Sequence, residues 1–134
     1  MVKRETFNFD STGRLLVDAK PTVKSSLLNQ YGTATGIPGN IEMDVINYTV
    51  PVGKTLYFRA YTSGGNADGL FKLKINGTII NTMRNSAAMR SVVVAIWEDG
   101  LEIPVNSGGT VKLTVIHNEI NLMNFEGTIL GFLE

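Results

Sequence analysis

Few residues in this chain could do chemistry, and they are scattered. There is one histidine, His117, and no cysteine. A lone imidazole without Cys or a second His lacks the ligand set of a zinc site. A Ser-His-Asp arrangement needs only a meeting in space, yet no Gly-x-Ser-x-Gly elbow surrounds any serine. His117 follows Val115-Ile116 and precedes Asn118-Glu119, where a strand would end in a turn. Glu98, Asp99 and Glu102 could supply the paired carboxylates of glycoside hydrolysis, which sit about 5–9.5 Å apart. They cluster in a turn-like stretch after Trp97, where solvated acids are ordinary. The loop Ser63–Gly69 (SGGNADG) offers Asn66 and Asp68 as oxygen ligands. Calcium wants about six to eight oxygens, and the spacing is not that of an EF-hand. Lys72, Lys74, Arg84 and Arg90 near Tyr57 and Tyr61 could form a basic patch for nucleic acid. Lys72 and Lys74 are better read as the outward residues of a hairpin, guarding a sheet against edge pairing. Tyr48, Tyr57, Tyr61 and Trp97 could stack on sugars, although Trp97 closes an apolar run and fits a core. No phosphate loop or dinucleotide fingerprint is present. These readings name no catalytic residue, no metal and no cofactor, and the expectation is a protein that is not an enzyme.

The elements that position these residues are strands. Leu70–Met83 (LFKLKINGTIINTM) holds two strand-like runs about Asn76-Gly77, the dipeptide best suited to a two-residue hairpin turn. Phe71, Leu73 and Ile75 alternate with Lys72 and Lys74, so one face is apolar and the other charged. Ile41, Met43 and Val45 share one parity, and Ile46, Tyr48 and Val50 share the other. The two adjacent apolar residues at the switch predict a β-bulge at Val45-Ile46. Pro51-Val52-Gly53 ends that strand. Thr55–Tyr61 is the next, and Ser63–Gly69 the loop after it. Asn85–Met89 has room for one helical turn. Ser91–Trp97 is nearly continuous in apolar residues, as in a strand covered on both faces. Leu101–Val105 carries Pro104 and predicts an edge strand, and Asn106–Gly109 a turn. Val111, Leu113 and Val115 alternate, as do Phe125, Gly127, Ile129, Gly131 and Leu133. About eight strands at sandwich-like spacing predict an all-β antiparallel sandwich of jelly-roll type.

Residues 1–40 read differently. Phe7 and Phe9 alternate, Ser11-Thr12-Gly13 turns, Leu15-Leu16-Val17 is apolar, and Gly32–Gly39 reads as a loop. The division is an extended N-terminal arm over 1–40 and a sandwich domain over 41–134. Lys3, Arg4, Phe7, Phe9, Arg14, Leu15, Leu16 and Val17 are the arm's candidate partner contacts. The arm either reaches across a partner or lies as an edge strand on its own domain.

The chain has 134 residues, 43% hydrophobic and 18% charged, and a formal net charge of zero. That length suits one domain, which buries roughly two-thirds of its unfolded surface. Zero net charge provides no global field for nucleic acid or an anionic membrane. Charge is uneven, however: residues 98–134 hold six acids and one base, Lys112. An acidic end could therefore meet a neighbour's basic face. The start, MVKRETFNFD, lacks the apolar run of a secretory signal, and no stretch approaches the roughly 18 apolar residues of a membrane span. Asn47-Tyr48-Thr49 and Asn76-Gly77-Thr78 match the glycosylation sequon but read as strand and turn.

Four segments taken together carry a likeness: Gly13–Asp18 (GRLLVD), Tyr48–Leu56 (YTVPVGKTL), Asn66–Gly77 (NADGLFKLKING) and Gly127–Glu134 (GTILGFLE). In this order the chain resembles small β-sandwich virion proteins of tailed bacteriophages, some of which decorate or cement the head while others sit on the tail. The resemblance implies a virion structural protein made in the host cytoplasm, most of all a capsid decoration or cement protein. It implies contacts with other virion proteins, the major capsid protein first, and a homo-oligomer such as a trimer, with neither nucleic acid nor membrane as partner. The alternative is a tail or baseplate adhesin, or a carbohydrate-binding sandwich, with Tyr57, Tyr61 and Trp97 as glycan contacts.

Overall fold

Asn76 and Gly77 both take left-handed backbone angles, φ 51° and 81°. This is the geometry a two-residue turn needs to match the twist of its strands. The computed structural model describes residues 26–134 in full, and before them the backbone of 8–9 and 15–16. In chain order the strands are β1 (Asn8–Phe9), β2 (Leu15–Leu16), β3 (Ser26–Ile37), β4 (Met43–Thr49), β5 (Leu56–Gly65) and β6 (Leu70–Ile75). They continue with β7 (Thr78–Arg84), β8 (Val93–Ile96), β9 (Ile103–Val105), β10 (Thr110–Ile116) and β11 (Met123–Leu133). No helix occurs among the described residues.

Two antiparallel sheets build an all-β, sandwich-like fold. The four-stranded sheet runs β4-β10-β6-β7, and the five-stranded sheet runs β3-β11-β5-β8 with β9 also on β5. The two-residue strands β1 and β2 pair separately, Asn8 opposite Leu16. Both large sheets feed one core. Phe71, Leu73, Leu113 and Val115 come from the first, and Phe58, Tyr61, Phe125 and Ile129 from the second. Phe71 and Phe125 meet edge to face across it, centroids 5.8 Å apart, a favoured aromatic geometry.

The bulge falls where the switch of parity put it. Leu113 faces Ile46 while Thr114 faces Asp44, so Val45 is the extra residue. Both Val45 and Ile46 are buried. Ile41, by contrast, precedes the strand and is exposed. The turn at Pro51 closes through the Lys54 amide, which donates to the Pro51 carbonyl at 3.1 Å. The Asn85–Met89 stretch forms an isolated turn bridged by Ser86 and Ser91.

Three expectations need correction. Gly32–Gly39 is strand as far as Ile37, because β3 pairs with β11 from Ser26 onwards. The sheet therefore begins inside the segment read as an arm. The Ser63–Gly69 loop is shorter than expected, since Ser63, Gly64 and Gly65 continue β5 against β11. Glycine is needed there: a Cβ on Gly65 would lie 2.3 Å from the Phe125 ring. Finally, β8 is not covered on both faces. It lies at the sheet edge on β5, with Val93 buried and Val94 and Ile96 exposed.

Candidate interaction surface

The outer faces of the two sheets differ in kind. On the four-stranded sheet Lys72 and Lys74 stand outward from β6 and share the carboxylate of Glu42; Lys72 Nζ donates at 2.9 Å. The ammonium of Lys74, then that of Lys72, holds the Glu42 carboxyl below its ordinary pKa. Lys112 lies 3.8 Å from Asp44 on the same face. The positive charge of this hairpin is thus largely occupied by neighbouring acids. Tyr57 and Tyr61 belong to the other sheet, so the basic patch with interleaved aromatics does not form.

On the five-stranded sheet the outward face is mixed, with exposed apolar side chains set among Asn29, Thr62 and Thr128. Following the register across β3, β11, β5 and β8, one row is Asn29, Leu130, Ala60 and Ile96. The next is Tyr31, Thr128, Thr62 and Val94. Towards the chain terminus a third row sets Leu27, Phe132, Tyr57 and Pro104 side by side. Leu27 is 69% exposed and Ile96 66%. Contiguous apolar surface of this sort marks contact with a partner more often than isolated exposed residues do.

A second bulge shapes this face. Leu130 pairs with Ala60 and Gly131 with Phe58, so Arg59 is the extra residue on β5. Its guanidinium lies over the Phe132 ring, 6.0 Å from the centroid, and reaches Asp99 at 2.5 Å. Without the bulge, Tyr57 and Tyr61 would share a side. With it, Tyr57 stays outside and Tyr61 turns into the core at 0% exposure, its hydroxyl donating to Asn81 Oδ1 at 2.5 Å. Trp97 packs edge-on to Phe58, centroids 5.4 Å apart. The three aromatic residues considered for glycan contact therefore do not converge on one surface.

His117, Asp99, Glu102, Asp68 and Asn66 have structural partners. His117 is buried, with Nε2 donating to the Ile37 carbonyl at 2.7 Å and Nδ1 accepting from the Glu119 amide at 3.1 Å. Nε2 thus ties the segment after β10 to β3, while Nδ1 holds that segment's own backbone. Asp99 pairs with Arg59, and Glu102 accepts the Gly100 amide at 2.9 Å. Asp68 accepts the Ala87 amide at 2.7 Å, and Asn66 that of Asn124 at 2.9 Å. No group of three or more metal-ligating side chains occurs among the described residues. Lys3, Arg4, Phe7, Arg14 and Val17 lie outside the described residues. Phe9, Leu15 and Leu16 are described only as backbone in β1 and β2.

The apolar sheet face was the signal the sequence reading missed, although the Val92–Ile96 run carried it. In comparisons with known proteins, no family model matches the chain, and no curated protein matches it.

Proposed function

We propose that this protein is a structural subunit of a bacteriophage virion, of the capsid decoration or cement kind. The observation that carries the reading is the unequal pair of sheet faces, one with its lysines ion-paired and one exposing Leu27, Val94 and Ile96. A lone sandwich in water gains nothing from exposing Leu27, Val94 and Ile96 together. A subunit that buries them against copies of itself gains about 25 cal/mol for each Å² removed from water. Closed symmetric rings of such copies leave no apolar face open. Its partners in this reading are a second and third copy of this chain and the major capsid protein, and its location is the virion.

The same reading assigns a jelly roll. The support is strand order: β3-β11-β5-β8 in one sheet and β4-β10-β6-β7 in the other, the chain crossing between them at every step except the β6-β7 hairpin and the step from β8 to the additional strand β9. That interleaving of two Greek keys is the jelly-roll pattern. The N-terminal segment before Ser26 would add contacts by pairing with a neighbour's sheet edge. Quantitative mass spectrometry of a purified particle tests the assignment. Hundreds of copies per particle fit a head protein. A handful would move it to the tail, and its absence from particles would refute a virion role.

A further inference from the structure

Across the outer face of the five-stranded sheet, next to the row of Tyr31, Thr128, Thr62 and Val94, lies a groove of about 500 Å³. Four distant segments build it: β3 through Thr33 and Thr35, β5 through Gly64, the turn before β8 through Arg90, and the start of β11 through Asn124 and Glu126. A smaller trough of about 110 Å³ continues from it past Tyr31 and Thr128, sharing Gly64 and Glu126. Gly64 keeps the floor low, since a Cβ there would sit 3.0 Å from Val92 Cγ1.

The polar groups of this groove are held in place before any ligand arrives. The Asn124 amide donates to Asn66 Oδ1 at 2.9 Å, and the Gly36 amide donates to Asn124 Oδ1 at 2.8 Å. The Asn66 amide also donates to the Asn124 carbonyl at 3.1 Å. Each side-chain oxygen is thus fixed by a main-chain N–H, which orients both carboxamide NH2 groups. With Oδ1 facing a main-chain N–H, each carboxamide NH2 is turned away from it. Glu126, two residues along β11 from Asn124, accepts from the Tyr31 hydroxyl at 2.8 Å through Oε2 and retains Oε1 as an acceptor. Arg90 lines the groove and has a left-handed backbone, φ 53°. Such a conformation is unfavourable for a residue with a side chain, and it recurs at binding sites.

We propose that this groove binds a saccharide. Fixed amide donors, a guanidinium and a carboxylate acceptor suit groups that both donate and accept, and vicinal ring hydroxyls do both. The half-exposed Tyr31 ring walls the trough and offers an apolar face to the next sugar. The site lies apart from Tyr57, Tyr61 and Trp97, but its trough shares Tyr31 and Thr128 with the apolar rows; Asn66 and Asn124, whose signals the test reads, are outside those rows, so its outcome is distinct from that of the assembly reading.

The test is an NMR titration of the full chain with the methyl glycosides of galactose, N-acetylglucosamine, rhamnose and glucuronic acid. At least one should shift the side-chain amide signals of Asn66 and Asn124 saturably. Arg90→Gly removes the guanidinium where glycine suits the backbone, so the fold is kept. Glu126→Gln removes the carboxylate charge without changing shape. Each should weaken binding at least about tenfold, the worth of one charged hydrogen bond. No shift with any of the four glycosides overturns the proposal, as does wild-type affinity in either variant.

Discussion

Tyr61 provides a quantitative check on the second bulge. Its ring is fully buried and its hydroxyl donates to Asn81. Burial pushes its pKa up to about 12 from the ordinary 10.0. A phenol that ionises later in the folded protein than in the unfolded chain destabilises the fold only at high pH. The unfolded chain begins to lose the proton near pH 10, the native state near pH 12, and between them stability falls by about 1.4 kcal/mol per pH unit. The two-unit separation caps the loss at about 2.7 kcal/mol. Below pH 10 this tyrosine contributes no pH dependence. Burial also raises Tyr48, so the comparison must be with the variant Tyr61→Phe. Urea unfolding from pH 8 to 12, with phenolate absorbance recorded in parallel, separates the two. The wild type should lose stability through this window, and Tyr61→Phe should show a much flatter curve with the last phenolate step missing. If Tyr61 ionised near pH 10 and the variant followed the wild-type curve, Tyr61 would be at the surface. The bulge at Arg59 would then be wrong.

Two further predictions concern the other sheet and its turn. Glu42→Gln should cost up to about 1 kcal/mol at pH 7, the range of a partly exposed ion pair. Because the Glu42 pKa is lowered, this contribution is full above the ordinary carboxylate range and disappears as pH falls through the depressed value. The variant and wild type should therefore converge in acid, and in high salt at neutral pH. Gly77→Ala should cost about 1–2 kcal/mol, because Gly77 has φ 81° but open space around a Cβ. Chemical denaturation measures both, and an unchanged midpoint for Gly77→Ala would contradict the left-handed turn.

How much of this could be read from residues alone depends on how local the signal was. Asn76-Gly77 needs only its own backbone preferences, and Val45-Ile46 announces its bulge by a change of parity within one strand. The alternation of Phe71, Leu73 and Ile75 likewise fixes which face turns inward. The errors came where tertiary packing decides. Gly64-Gly65 reads as loop by composition, yet glycine is there because β5 passes so close to Phe125. The small residues of Gly32–Gly36 gave no hydrophobic period, but ten residues of β11 pair along β3. Arg59 left no pattern of its own, and its extra position sends Tyr57 and Tyr61 to opposite sides. An apolar run such as Val92–Ile96 looks the same whether its outer face meets a core or a neighbouring subunit. The groove proposed to bind a saccharide was invisible because its walls come from residues 33, 64, 90 and 126, which only the folded sheet brings together.

The most direct measurement is the mass of the chain in solution by sedimentation, wild type beside the double variant Val94→Lys, Ile96→Lys. Both side chains are exposed on an edge strand, so lysine is tolerated in the isolated subunit. The wild type should sediment as a multiple of 14.6 kDa, and the variant as a single folded chain. A wild type that remains one chain at every concentration, or a variant that assembles as before, would contradict burial of this apolar face between copies.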